Sequence, residues 1–183
     1  LNILLQDADL ANALYVVDVK ENEIVLQFEN GLLKQVLQAG RYTFWKSVIN
    51  YEFVNADISK IEITENISRT LLQHKALAAF IRVFTVESYE KAVLFADGKF
   101  EKILESGVYY WWKNNITISV GKVDVRMQQV EINGQEILTR DKAAIRINAW
   151  AQYRVTDIEK SLLQNREYEK QLYVTFQFAL REY

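Results

Sequence analysis

The chain contains no cysteine, no proline and a single histidine. Without cysteine there can be no disulfide, thiolate zinc site or cysteine nucleophile, and the composition fits a reducing compartment. A lone histidine, His74, excludes a multi-histidine metal centre within the chain and leaves a Ser-His-Asp arrangement only if His74 is its base. The lack of proline is unusual in a chain rich in turn signals, because proline pre-sets the backbone of many turns. No apolar run approaches the roughly 18–20 residues of a membrane-spanning helix. Leu1–Leu14 carries Asp7 and Asp9 where a signal peptide would have its apolar core. Neither sign of charge dominates: the formal net charge is −2. No basic patch reaches the density that nucleic-acid binding needs, so nucleic acid is not expected as a partner.

What is present describes a globular protein. The 183 residues are 50% hydrophobic and 25% charged, enough for one ordinary domain or two small ones, each with a modest core. The most informative pattern is an internal one. "FENGLLKQVLQAGRYTFWK" (28–46) returns 67 places later as "FADGKFEKILESGVYYWWK" (95–113). Phe28, Gly31, Leu37, Gly40, Tyr42, Trp45 and Lys46 match Phe95, Gly98, Leu104, Gly107, Tyr109, Trp112 and Lys113. The same offset aligns Leu4, Leu5, Gln6, Leu10, Val16, Val19 and Glu23 with identical residues, and Asp57 with Asp124, giving 18 identities in 67 ungapped pairs. Two copies are too few for a solenoid, so the pattern reads as a duplicated supersecondary unit. The expected organisation is a first copy over 1–67, and a second over 68–183 that continues into further elements.

Each copy has the same expected course. Leu71, Leu72, Ala76 and Phe80 recur at near-helical spacing, and "FIRVFTV" (80–86) is rich in strand-forming residues. Asn30-Gly31 and Asp97-Gly98 tolerate positive φ and mark tight hairpins between "IVLQF" and "LKQVL", and between "KAVLF" and "FEKIL". The aromatic block follows, then a long strand over 117–132. Asn133-Gly134 reads as another tight turn, and residues 144–155 as a strand with Arg146, Asn148, Gln152 and Arg154 on one wet face. Thr156 and Glu159 form a candidate capping box for a helix over about Asp157–Leu163. A second helix begins near Arg166, with Tyr168, Leu172, Phe176, Ala179 and Tyr183 on one stripe. That helix meets no glycine, proline or cap before Tyr183, so the natural protein is expected to continue.

The run Val123–Lys160, "VDVRMQQVEINGQEILTRDKAAIRINAWAQYRVTDIEK", resembles the stomatin/prohibitin/flotillin (SPFH, Band 7) superfamily, and within it the slipins. The matching motifs are Val123–Arg126, Gln135–Asp141, and Tyr153–Val155 with Asp157. Upstream, Glu90, Ala92–Gly98–Lys99–Phe100 and Ser106–Gly107–Val108–Tyr109 occupy the family's strand, hairpin and turn positions. The resemblance covers about Val83 to Tyr183 and carries Gly98, Gly107, Thr139, Asp141, Tyr153 and Asp157 as structural motif residues. Two features depart from the family: its turn prolines are missing, with Ser106 before Gly107 and Trp112-Lys113 where Ile-Pro often lies, and the membrane-inserting segment that usually precedes the domain is absent from this chain. The first copy lies outside the usual architecture. The resemblance implies an α+β fold and a non-enzymatic, membrane-associated scaffold that self-assembles and organises partner membrane proteins. Its soluble part would be cytoplasmic, and an NfeD-class membrane protease-like protein is a possible partner.

Several residues carry two readings. Tyr109 and Trp111 point one way along a strand, Tyr110 and Trp112 the other. If one face is core, the block Tyr110, Trp111, Trp112 and Lys113 offers a membrane or partner surface, since amphipathic aromatics suit a membrane interface. Alternatively the repeated Tyr42/Tyr109 and Trp45/Trp112 are core plugs shared by both copies. His74 takes the place of Asp7 in the other copy, as a solvated helix position would. Thr139 and Asp141 have no adjoining base, and both types commonly hold turns through their own backbone. Asp124 and Arg126 read as a solvated or cross-strand pair. Glu101, Lys102 and Glu105 are surface charges. With no glycine-rich phosphate loop and no acidic cluster, neither cofactor nor metal is expected and no catalytic residue is assigned. The rival to a scaffold is a soluble ligand-binding β module with an aromatic-lined pocket; an enzyme is disfavoured.

Overall fold

The computed structural model describes residues 8–164 and 166–182; Leu4, Leu5, Gln6, Asp7 and Tyr183, named above, lie outside them. Among the described residues the chain forms two compact units. The first takes residues up to Phe84 together with Tyr109–Ile116, and the second takes Thr85–Val108 and Thr117 onward.

The first unit is organised around one strand. β2 (Glu23–Glu29) is the middle of a three-stranded antiparallel sheet, between β3 (Leu32–Leu37) and β5 (Tyr51–Asp57). β1 (Leu14–Val19) and β4 (Gly40–Trp45) form a separate antiparallel ribbon. "IVLQF" is a nearly continuous apolar run, and such a run is legible as a strand covered on both faces. The structure covers it so. Ile24, Leu26 and Phe28 pack with Ala56, Leu77, Ile81 and Trp112. Val25, on the opposite face, packs with Val19 and Leu37. The one polar side chain in that buried stretch, Gln27, accepts a hydrogen bond from Gln35 and donates to Glu29, so its amide is satisfied.

β2 and β3 are joined by Asn30-Gly31, at φ of 52° and 81°. Two consecutive positive φ values define the turn whose twist suits a two-residue hairpin, and only glycine adopts the second without strain. A short helix α1 (Ala8–Asn12) precedes β1; after β5, Ser68 caps the one-turn helix α2 (Arg69–Leu72) and a 3-10 turn follows over Lys75–Leu77. The helical spacing is therefore split in two and excludes Phe80. β6 (Ile81–Val86) then pairs with β9 (Gly107–Trp112).

The second unit repeats the sheet. β7 (Glu90–Ala96) lies between β8 (Lys99–Leu104) and β10 (Ile118–Asp124). Its register against β10 runs from Glu90↔Asp124 to Ala96↔Ile118, as β2 runs against β5 from Glu23↔Asp57 to Glu29↔Tyr51. Both hairpins carry a bulge at the same place, at Gln27/Phe28 and at Leu94/Phe95. Asp97-Gly98 repeats the two positive φ values, at 47° and 77°. Each turn is also clamped alike: Asn30 exchanges two hydrogen bonds with Asn50 at 2.9 and 3.0 Å, and Asp97 exchanges two with Thr117 at 2.9 Å.

Beyond Asp124 the structure departs from the sequence expectation. The long strand expected over 117–132 is two strands, because Asp124 bends the chain: its carboxylate accepts from the Arg126 backbone N–H at 2.9 Å. β11 (Gln128–Leu138) then pairs with β12 (Ala144–Tyr153). Asn133-Gly134 is not a hairpin turn. It is a bulge inside β11, where the register shifts between Ile132 and Gln135, with Gly134 at φ 67°. The hairpin turn falls at residues 139–143 instead. Val93 and Val123 pack with Ile158, and Leu162 closes over Gly121, where a Cβ would stand 3.3 Å from its methyl. Residues 160–164 form a π turn, and α3 (Tyr168–Glu182) contacts β11. Its half-buried residues include Tyr168, Leu172 and Phe176 as expected, whereas Ala179 is exposed.

The two equivalent tryptophans have opposite fates: Trp112 is 0% exposed and Trp45 60%. Trp112→Ala is expected to cost about 3–5 kcal/mol of stability, as large aromatic deletions from a core do. Trp45→Thr, which keeps a strand-forming residue at a solvated site, is expected to change stability by no more than about 0.5 kcal/mol. Urea unfolding of the two variants followed by circular dichroism measures both; equal losses would contradict the burial difference.

Candidate functional site

The aromatic block was the sharpest sequence candidate, and β9 places it. Side chains alternate as expected: Tyr109 stacks on Trp111 with ring centroids 5.7 Å apart, while Tyr110 and Trp112 join the core of Ile24, Leu26 and Phe28. Both faces are covered at the end of the strand, however. Trp111 is 3% exposed and lies 5.0 Å from the Phe84 ring. Trp112 is enclosed, its indole N–H donating to the Glu65 carboxylate at 3.3 Å and its backbone N–H to the Ile61 carbonyl at 2.9 Å. Neither tryptophan offers a ring to a membrane or partner here, because protein covers both faces of the strand at this end. Tyr110 is half-buried and Lys113 exposed. The shared core plug is likewise corrected, since Trp45 is solvated.

Tyr110 has a chemically distinct setting. Its hydroxyl accepts from the Gln73 amide at 2.7 Å and the Arg69 guanidinium lies 5.6 Å from its ring centroid. The bond from Gln73, followed by Arg69, holds the phenol below its usual range. A groove of about 310 Å³ beside it is lined by Leu72, Gln73, Ala78, Ile81, Val83 and Tyr110. Tyr110 is the one aromatic in that lining, which is therefore not the aromatic-lined pocket that a ligand-binding module called for.

The remaining motif residues hold backbone. Gly98 sits in the β7–β8 turn, and Gly107 opens β9. Thr139 closes the β11–β12 hairpin: its backbone N–H donates to the Ala143 carbonyl at 2.9 Å, and its hydroxyl accepts from the Ala143 N–H at 3.0 Å and binds the Asp141 carboxylate. The hydrogen bond from Thr139 is the main cause of a lowered Asp141 pKa. Tyr153 donates to the Gln128 side chain at 2.9 Å, and burial pushes its phenol up. Burial, reinforced by Glu169, pushes the Tyr168 phenol up to about 12. Asp157, rather than Thr156, caps the helix after β12, accepting from the Lys160 N–H at 2.9 Å, so the expected capping box is displaced by one residue.

His74 is exposed and caps the 3-10 turn, its Nδ1 accepting from the Ala76 N–H at 3.2 Å. Asp124 and Arg126 form a fork along one strand end, with Arg126 stacked 3.9 Å over the Tyr89 ring. Among the described residues no group of three or more His, Cys, Asp or Glu side chains is placed to hold a metal ion, and no helix is long and apolar enough to cross a membrane. Sequence reasoning passed over Trp150, which stands 69% exposed on the polar face of β12 opposite Glu131. The signal was there: position 150 is even, in phase with Arg146, Asn148 and Gln152.

The chain belongs to the SPFH domain / Band 7 family, whose model matches residues 84–183. The fold is α+β, with antiparallel strands and few helices, as expected. The chain is similar to an uncharacterized protein of Methanocaldococcus jannaschii, 32% identical over 103 residues, which cover 54% of this chain and 49% of the relative. It is similar to a stomatin homolog of Pyrococcus horikoshii, 32% identical over 92 residues, covering 50% of this chain and 33% of that protein. A putative band 7 family protein of Acanthamoeba polyphaga mimivirus is 28% identical over 67 residues, covering 37% and 22%. The chain thus spans half or less of the length of these relatives. The family match begins at residue 84, so the first unit's three-stranded sheet and its β1–β4 ribbon lie outside it.

Asp124, Asp141 and Asp157 are each held below the ordinary value of 3.8 by hydrogen bonds to Arg126, Thr139 and Lys160. A depressed carboxyl stabilises the fold above its unfolded pKa and loses that contribution as pH falls through its folded value. The contribution of these turns is therefore expected to disappear below pH 3.8. In Thr139→Val the Asp141 carboxyl, followed by carboxyl-carbon NMR, is expected to titrate closer to 3.8. An unchanged titration would sever the link between the turn and the carboxylate.

Proposed function

We propose that this protein is part of a membrane-associated scaffold that self-assembles and organises or regulates partner membrane proteins, rather than an enzyme. The observation that carries this reading is the family match over residues 84–183, together with the similarity to stomatin homologs. A membrane protease-like protein of the NfeD class is the partner that a slipin-like reading favours, with the soluble part in the cytoplasm. Residues 1–67 are a divergent copy of the unit that opens at 68, and the shared strand order, register, bulge and clamp support a duplication. The contacts that do the work are surfaces: Tyr110 on β9 and Lys113 just after it, and the outer face of α3, where Val174 and Phe178 are exposed. An apolar helix face of that kind gains stability mainly from packing, and so favours association.

Light scattering and detergent-free fractionation test the reading. The full-length protein is expected in the membrane fraction as large homo-oligomers, while residues 1–183 alone stay monomeric or weakly dimeric at micromolar concentration. One helix per subunit would bury less than the roughly 1,200 Å² of a standard stable interface. A full-length protein that remains monomeric on membranes would sink the scaffold reading.

A further inference from the structure

The β2–β3 hairpin and the β4–β5 loop, both outside the family match, form a tip unlike its counterpart. Residues 30–51 contain Lys34, Arg41 and Lys46 and no Asp or Glu, in a chain of net charge −2. The equivalent stretch, 97–118, balances Lys99, Lys102 and Lys113 with Asp97, Glu101 and Glu105. Position by position, Asn30 stands for Asp97, Lys34 for Glu101 and Gln38 for Glu105. Glu29 and Glu52 close the acid-free stretch at its two ends.

The same region changes its apolar surface. The β2–β3 turn and the β4–β5 loop meet at one end of the sheet, tied by the paired hydrogen bonds of Asn30 and Asn50. From that clamped end Leu32, Trp45, Val48 and Ile49 are exposed, and Val48 is fully so. The counterparts of Leu32 and Val48 are Lys99 and Asn115, so this fold does not require apolar residues there. The tip is held in place: Ser47 Oγ accepts from the Ile49 N–H at 3.2 Å, and the Lys46 backbone N–H donates to the Ala13 carbonyl at 2.8 Å. Behind it Tyr15 and Tyr51 pack edge to face at 6.1 Å, with the Lys46 ammonium 5.3 Å from the Tyr15 ring centroid. At the other end of the β1–β4 ribbon Arg41 pairs with Asp18; Lys34 is exposed on β3, and the exposed Lys46 ammonium donates to the Asn12 carbonyl at 2.9 Å.

We infer that this tip is a docking surface for an anionic lipid bilayer, with Trp45, Val48 and Leu32 entering the interface and Lys34 and Lys46 facing the headgroups. The inference rests on the membrane-associated reading above and gives it a residue-level site outside the family-matched region. An exposed apolar tip suits a soft interface, whereas a folded protein partner would have to supply a matching surface. Tryptophan and tyrosine settle at the headgroup level because one end of each ring is apolar and the other polar. Lysines near the surface add attraction that falls off within a Debye length.

Co-sedimentation of the 183-residue chain with phosphatidylcholine vesicles, with and without phosphatidylserine, tests this. Binding is expected to rise with phosphatidylserine and fall with salt. Trp45→Thr with Val48→Asn, the latter taken from the second unit's own loop, is expected to lower partitioning by about tenfold or more, since binding scales with the apolar area buried. Lys34→Glu, which copies position 101, is expected to lower it about fivefold on anionic vesicles, more than on neutral ones. Lys99→Glu, at the equivalent hairpin, is the control and should change nothing. Circular dichroism confirms that each variant is folded. Wild-type binding that persists in both tip variants would overturn the tip as the docking surface while leaving membrane association intact. No wild-type binding to either vesicle would also overturn it, and the scaffold reading would then stand or fall on fractionation of the full-length protein. A tip variant that alters self-association in light scattering but not vesicle binding would reassign the tip to protein contact.

Discussion

The first unit depends on enclosing one indole ring. Trp112 fills the space between the buried face of β2 and the segment after β5, and its neighbours Ile24, Leu26, Phe28, Leu77 and Ile81 come from three separate stretches of chain. An indole cannot be buried without a partner for its N–H, and Glu65 supplies one. The same carboxylate accepts from the backbone of Asp57 at 2.8 Å and of Thr64 at 3.1 Å. One acidic side chain thereby fixes both the ring and the irregular stretch that covers it. Asn114, two residues on, donates to the carbonyls of Ile58 and Lys60, and Arg82 binds the carbonyl of Ile116. Residues 109–116 are thus built into the first unit, although they belong to the later part of the chain.

That interleaving explains why the copies are legible in sequence while their burial is not. The hairpins at Asn30-Gly31 and Asp97-Gly98 follow from local backbone chemistry, and the apolar run of β2 from hydrophobic pattern. Alternation along the aromatic block was also legible, because it is a property of any strand. Which of its faces stays wet was not: that depends on Phe84 and on residues 61–65, which approach only in the folded chain. The opposite exposures of Trp45 and Trp112 have the same origin.

Other departures share this logic. Asn133-Gly134 has the composition of a two-residue turn, yet the same positive φ serves a bulge when strand pairing continues on both sides. The pairing partner, β12, decides between them from 14 residues away, where the Asn148 side chain accepts from the Gly134 N–H. Asp124 breaks what reads as one strand through a bond to its own backbone two residues on, and Asp157 takes the cap expected of Thr156. In each case an aspartate competes for backbone N–H groups over a short range, a choice that pattern alone does not resolve. The motif residues Thr139 and Asp141 were readable as a turn because that competition there has one outcome. The solvated tip of the first unit was hidden by its similarity to the second, since Trp45 was matched to a core residue.

Two three-stranded sheets with the same order, register and bulge pose a problem of partner choice during folding. β2 could in principle take β8 in place of β3, with every backbone ladder intact, and exchanges of that kind are a characteristic failure of repeated units. The buried amide of Gln27 opposes the exchange. In its own sheet it faces Gln35, which donates to it; the corresponding pair in the other sheet is Leu94 and Lys102. A crossed ladder would take from Gln27 the Gln35 amide that donates to its buried carbonyl oxygen and set the exposed, flexible Lys102 side chain there instead. A polar contact that adds little net stability to the finished sheet can still discriminate between strands that are otherwise interchangeable, because a buried polar group left unmatched costs more than a matched one contributes.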